Sequence, residues 1–278
     1  MNTAIAEKRR GTQPLAKDFA LVQRSIKHIV KGRAYLQSNA EGERCAEKMM
    51  RDDPLLDPAW NALETEHVRF AVGGERARRY AAEVVPFAAV ADNGDETLAE
   101  LAELLAPGEH VYLFGAQPAA TKGIVVGPPL HCHQMLGPSR RLIDTGGDEM
   151  QMLRMTSEDA GAMVALTTLA FPGFFRERTH EMGTYCGIRM HGELVAMAGE
   201  RLCLPGLREI SAVVTHPRHT GKGHAYRLMT YLLREHASAG LKSFLHVNVL
   251  NSRAIALYER MGFETARSIA LCPVSRAS

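Results

Sequence analysis

The sequence predicts an α/β protein whose C-terminal half is a mixed central β-sheet flanked by helices. Three observations carry that expectation. The apolar, β-branched run Ile210 to Thr215 breaks at Pro217. It then passes through Arg218-x-x-Gly221-x-Gly223 into a helical pattern with Ala225, Leu228, Met229, Leu232 and Leu233 on one face. A second strand, Phe244–Val249, leads into a short helix, Arg253 to Met261, opened by Asn251-Ser252 and closed by Gly262. Two further apolar runs, Thr184–Met190 and Leu194–Leu204, flank His191-Gly192 as a hairpin.

In chain order, residues 1–45 read as a basic arm. Its first 36 residues carry Lys8, Arg9, Arg10, Lys17, Arg24, Lys27, Lys31 and Arg33 against Glu7 and Asp18, a local charge of +6. Phe19, Val22, Ile26 and Ile29 add an amphipathic helical spacing. Residues 46–146 read as a first globular unit. Its strands are Arg69–Val72, Val84–Ala91 and Val111–Phe114, and its helix runs from Glu96 to Leu105 with Asp95 as N-cap. The Pro- and Gly-rich stretch Gly115–Pro138 reads as loops around one short strand, Gly123–Val126. Asp144–Asp148 is the expected linker.

Residues 147–278 form the second unit, opening with strand Glu149–Met155. Thr156 caps the next helix, with Asp159 at the capping-box position. Phe171–Phe175 ends that helix and reads equally as a groove lining or a packed corner. Leu207–Thr215 is the central strand, and Cys272 and beyond read as tail.

Composition narrows the function classes. With net charge +2 over 278 residues, the body outside the arm carries −4 and is not expected to bind nucleic acid. No run of eighteen apolar residues predicts a membrane span, and no secretory leader is expected, so the reading is cytoplasmic. Five scattered cysteines do not form a disulfide framework. His131-Cys132-His133 fits no common zinc spacing, and no metal is expected.

The glycine loop carries the chemistry. A strand, a glycine turn and a helix start present unpaired N–H groups and a positive dipole end to an anion. A Cβ at Gly221 or Gly223 would hold phosphates away from the backbone. This loop and the later Asn251…Ala254…Tyr258-Glu259…Gly262-Phe263 block together resemble the GCN5-related N-acetyltransferases (GNAT), in their FR47-like branch. The resemblance covers about Asp148 to Leu271. It implies the GNAT fold, and an N-terminal lobe compatible with a degenerate copy of it. That lobe has no Arg-x-x-Gly-x-Gly signature, so one coenzyme site is expected.

The resemblance further implies acetyl-CoA as cosubstrate and an amine-bearing acceptor attacking it in a ternary complex. Arg218, His219, Thr220, Gly221, Lys222, Gly223, His224 and Ala225 would then cradle the pyrophosphate. Val213, Val214 and Thr215 would pair with the pantetheine arm, with a backbone N–H near Val213 polarising the thioester. Tyr258 takes the family's place for the acid that meets the leaving thiolate, and Asn251 lies beside the pantetheine. Glu209 is the expected base, Glu200 its rival and His216 the next candidate. An acyl-cysteine route through Cys203 or Cys186 lacks a specified His–carboxylate pair. Two other functions remain: a non-catalytic acyl-CoA sensor, and an interaction protein working through the basic arm.

Overall fold

The computed structural model describes residues 53–121, 123–138 and 152–277, which fall in the unit Asp53–Ser278. The basic arm, Cys45 and the linker Asp144–Asp148 lie outside the described residues, as does the start of the strand expected at Glu149. Helix α1 (Pro58–Glu64) begins where Asp57 accepts from Trp60 N and Pro58 fixes the first turn. Strands β1 (Ala71–Gly73), β2 (Ala77–Tyr80) and β3 (Phe87–Val90) follow, then α2 (Asp95–Glu103) and β4 (His110–Phe114). The N-cap of α2 is Gly94 rather than Asp95, which instead places its charge in the first turn.

Next come β5 (Ile124–Val126), β6 (Leu130–Leu136) and β7 (Leu153–Arg154). The Thr156–Asp159 capping box forms as expected and leads through a 3-10 turn into α3 (Ala160–Thr168). Strands β8 (Tyr185–Met190), β9 (Glu193–Leu204) and β10 (Leu207–Thr215) precede α4 (His224–Ser238). The chain ends with β11 (Lys242–Asn248), α5 (Ser252–Arg260) and β12 (Glu264–Arg276).

Twelve strands make one mixed sheet in the order β1-β2-β3-β4-β12-β6-β11-β10-β9-β8-β7, with β5 on β12. Two expectations change here. The stretch read as loops up to Pro138 contains β6, which pairs with β11 on one side and β12 on the other. Cys272 and the residues after it are not tail but the last part of β12, paired with β4, and Cys272 is buried. Both were hidden by composition. The polar side chains His131, His133 and Gln134 break the apolar alternation of β6, and Pro273 sits within β12.

The sheet positions the cleft through one local feature. Parallel pairing of β10 with β11 covers only Leu207–Glu209 against Lys242–Phe244. Beyond Glu209, β10 stays on β9 as far as Thr215, and β11 stays on β6 as far as Asn248. The two strands therefore part and leave a wedge between them. A register jump from Ser211 to Val214, with Ala212 at φ 50°, bends β10 there. Helices α4 and α5 close one face over a core of Leu228, Met229, Leu232, Leu245, Val247 and Tyr258. Helix α1 packs on β9 as well as β3, and the Arg201 guanidinium lies 4.9 Å over the Phe87 ring.

Candidate active site

The wedge opens into a cleft of ≈ 610 Å³. One wall is Val213–Thr215 of β10, and the floor is the loop His219–Gly223 with the first turn of α4, His224–Tyr226. The opposite wall is α5, through Asn251, Arg253, Ala254, Leu257, Tyr258 and Arg260. The structure thus brings together every residue assigned to the coenzyme from the sequence except Arg218. That side chain is exposed and pairs at 3.5 Å with Glu193.

Gly221 and Gly223 adopt φ 80° and 77°, left-handed conformations that glycine takes without a Cβ penalty. A Cβ at either would meet nothing within 4 Å of protein, so the space beside them faces the cleft rather than the core. Gly223 is the N-cap of the fifteen-residue α4, whose first N–H groups have no intrahelical partner. Lys222, Arg253 and Arg260 bring positive charge, and no carboxylate lines the cleft among the described residues. The lining is thus positively charged, with the start of a helix at its floor.

Tyr258 is buried on the α5 wall, and burial pushes its hydroxyl up to about 12. It therefore carries its proton at neutral pH. Asn251 accepts from Ala254 N at 3.1 Å as the N-cap of α5, which leaves its amide NH₂ uncommitted to that cap.

The two candidate bases lie at the closed end of the wedge, outside the cleft lining. Glu209 is fully buried and takes two bonds from Arg201, Nε at 3.0 Å and Nη2 at 2.5 Å. Leu202 N donates to it at 3.2 Å, and His246 Nδ1 lies 2.7 Å away. Beyond that ring, His246 Nε2 lies 3.0 Å from Gln134 Nε2, which also donates to Leu55 O at 2.8 Å ahead of α1. Burial raises the Glu209 pKa, but the Arg201 charge and the His246 bond outweigh it and hold the carboxyl down at about 2.

Glu200 points to the other face. Its Oε1 is 2.8 Å from His236 Nε2, its Oε2 accepts from Thr184 N at 2.9 Å, and His236 Nδ1 reaches Ser243 Oγ at 2.8 Å. Burial raises its pKa, yet the His236 and Thr184 bonds leave it below the usual range. His216 Nδ1 accepts from Arg218 N at 3.2 Å, and the ring is not in the lining. These partnerships were invisible in the sequence, because Arg201, His236, His246 and Gln134 come from other elements. The only available signal was a polar residue interrupting each apolar strand.

Cys186 and Cys203 are buried and bond to Ala198 O and Met182 O, and burial pushes both thiols up to about 12. They are poor nucleophiles. Phe174 stacks 4.7 Å from Tyr112 and Phe175 packs 5.4 Å from Tyr185, so this part of Phe171–Phe175 is a packed corner. Among the described residues, no group of three or more His, Cys, Asp or Glu could hold a metal ion. None of the described helices is long and apolar enough to cross a membrane.

Comparison with known proteins addresses the fold and family. Residues 151–263 match the model of the acetyltransferase (GNAT) family. A solved GNAT-family protein from Novosphingobium aromaticivorans is 30% identical, with a TM-score of 0.74 over 82% of this chain and 100% of its own. A GCN5-related N-acetyltransferase from Kribbella flavida, 15% identical, shares the fold at a TM-score of 0.55 over 79% of this chain and 95% of its own. No curated protein matches.

Proposed function

Because the chain belongs to the GNAT acetyltransferase family, we propose that it transfers an acetyl group from acetyl-CoA to an amine by direct attack in a ternary complex. One observation carries this reading: a cleft lined by cations and free helix N–H groups, without a carboxylate, where β10 and β11 separate. Coenzyme A is a polyanion with an extended arm. Its pyrophosphate would rest on Gly221–His224 and its pantetheine would run along Val213–Thr215. The bulge sets Ala212 and Val213 against the single Ala198 of β9, and β10 has parted from β11 there, so a β10 N–H on the wedge side would meet the thioester oxygen. The FR47-like branch, and with it longer acyl donors, belongs to the same proposal.

Tyr258 is assigned as the acid, in a specific sense. A hydroxyl held at about 12 does not hand its proton outright to a thiolate with a reference value of about 8.5. It donates a hydrogen bond to the sulfur as charge builds in the transition state. The balancing proton comes from the attacking nitrogen, which becomes acidic once it bonds the acyl carbon.

Glu209 occupies the place expected of a base, yet its surroundings weigh against that role. Its oxygens already accept from Arg201, Leu202 N and His246, and at about 2 it has little affinity for an amine's proton. We assign Glu209 to holding the closed end of the wedge, and proton removal to solvent acting on the amine before attack. A second reading, a non-catalytic acyl-CoA sensor, draws support from the same engagement of both carboxylates.

Titration calorimetry with acetyl-CoA, followed by thiol release across a panel of amines, separates the readings. Binding that a Gly221/Gly223 double substitution abolishes, with turnover on at least one amine, supports the transferase. Binding without turnover on any amine supports the sensor. Absence of binding to acetyl-CoA, propionyl-CoA and CoA removes both.

A further inference from the structure

The first residue of α4 is an unusual choice for its surroundings. His224 is 3% exposed, lines the cleft, and has no hydrogen-bond partner at either ring nitrogen among the described residues. An imidazole always has a donor or acceptor at each nitrogen, and buried polar atoms are ordinarily satisfied. His219, also in the lining, has a buried Nδ1 in the same condition. The groups around them are mostly cationic: Lys222 and Arg227 near His224, and Lys222, Arg218 and His216 near His219, with Glu193 as the opposing charge. Burial, followed by these cations, lowers the pKa of both rings in the ligand-free protein.

We propose that the side chains of His224 and His219 are phosphate-binding groups that take up protons when the coenzyme binds. The inference rests on the acyl-CoA reading of the cleft but goes beyond the backbone cradle. A pyrophosphate placed on this helix start reverses the local field. It supplies acceptors for the orphaned nitrogens and favours the imidazolium, which has two donors. The same rings therefore bind neutral in the empty site and charged in the filled one. Binding then draws protons from solvent and strengthens as pH falls through the ordinary imidazole range of about 6.5.

Calorimetry of the full chain with dephospho-CoA tests this, because that probe lacks the monoester phosphate whose own titration would confuse the count. Titrations at about pH 7 in two phosphate-free buffers of different ionisation enthalpy should give different heats, corresponding to net proton uptake. Affinity should rise about tenfold between about pH 8 and about pH 6 for a bound-state shift of about one unit. His224→Asn and His219→Asn, checked for native circular dichroism, should each reduce the uptake, and the double variant should abolish it. Heats independent of buffer, with unchanged affinity across that range, overturn the inference while leaving coenzyme binding intact. Failure of dephospho-CoA, CoA and acetyl-CoA alike to bind overturns the acyl-CoA reading itself.

Discussion

At the open end of the β10–β11 pair, charge is left without an internal partner among the described residues. Lys222, Arg253 and Arg260 line a cleft free of carboxylates, and His224 has no partner at either nitrogen. At the closed end, a few residues away on the same strands, every charge is matched. Arg201, Glu209, His246 and Gln134 form a row across β9, β10, β11 and β6 that ends on Leu55 O. On the proposed reading, the contrast separates what the coenzyme would complete from what the fold must complete itself. A buried charge with no partner is costly, so Glu209 is matched by the fold itself, whereas Lys222, Arg253 and Arg260 are exposed and water can solvate them until an anion binds.

The sharpest way to break this comparison is at Arg201. Arg201→Met leaves Glu209 buried without its cation and should cost about 3–5 kcal/mol in urea unfolding. The double variant with Glu209→Gln should recover much of that loss, and a single-variant cost under about 1 kcal/mol would show that the row is not what holds the closed end. The pH dependence follows with a definite sign. Because Glu209 is held at about 2 when folded against an ordinary 4.5, its contribution is present above pH 4.5 and is lost as pH falls toward 2. Glu209→Gln should flatten the stability profile across that window.

At the open end, Gly221→Val should weaken acetyl-CoA binding by roughly a hundredfold or more. Both the left-handed backbone and the approach of phosphate are lost; the strained turn should also cost about 1–3 kcal/mol in unfolding, so affinity is read on protein with native circular dichroism. Unchanged affinity would mean that the loop is only a turn. Tyr258→Phe should lower kcat about tenfold or more with coenzyme affinity nearly unchanged, as for loss of one hydrogen-bond donor to the charge that builds on sulfur. Full turnover would remove Tyr258 from the chemistry. The smallest effect belongs to Asn251→Ala, which loses the α5 cap and should cost about 1 kcal/mol in unfolding. A large loss of coenzyme affinity there would give the Asn251 amide a second role.

The same contrast explains what was legible in the sequence. The donor side is local: strand, loop and helix occupy consecutive residues, and the bounds Leu207–Thr215 are read directly from the β-branched run. Asn251 as a cap and Gly262 in a left-handed turn are local too. The closed end is assembled from residues up to 112 positions apart in the case of Gln134 and His246, so no spacing rule finds it. Glu209 was visible as a strand carboxylate. The arginine and histidine that fix its charge were not, because cross-strand neighbours depend on register. Strand β6 escaped for a related reason: Gln134, half of its polarity problem, is solved by that distant partner.

The position of β6 decides how this chain can be cut. The family match covers residues 151–263, yet β6, ending at Leu136, lies between β11 of the matched stretch and β12 just beyond it. A fragment starting at 151 would leave two long strands facing each other across the missing one, each with a row of unused amide and carbonyl groups. Such a fragment should self-associate rather than act alone.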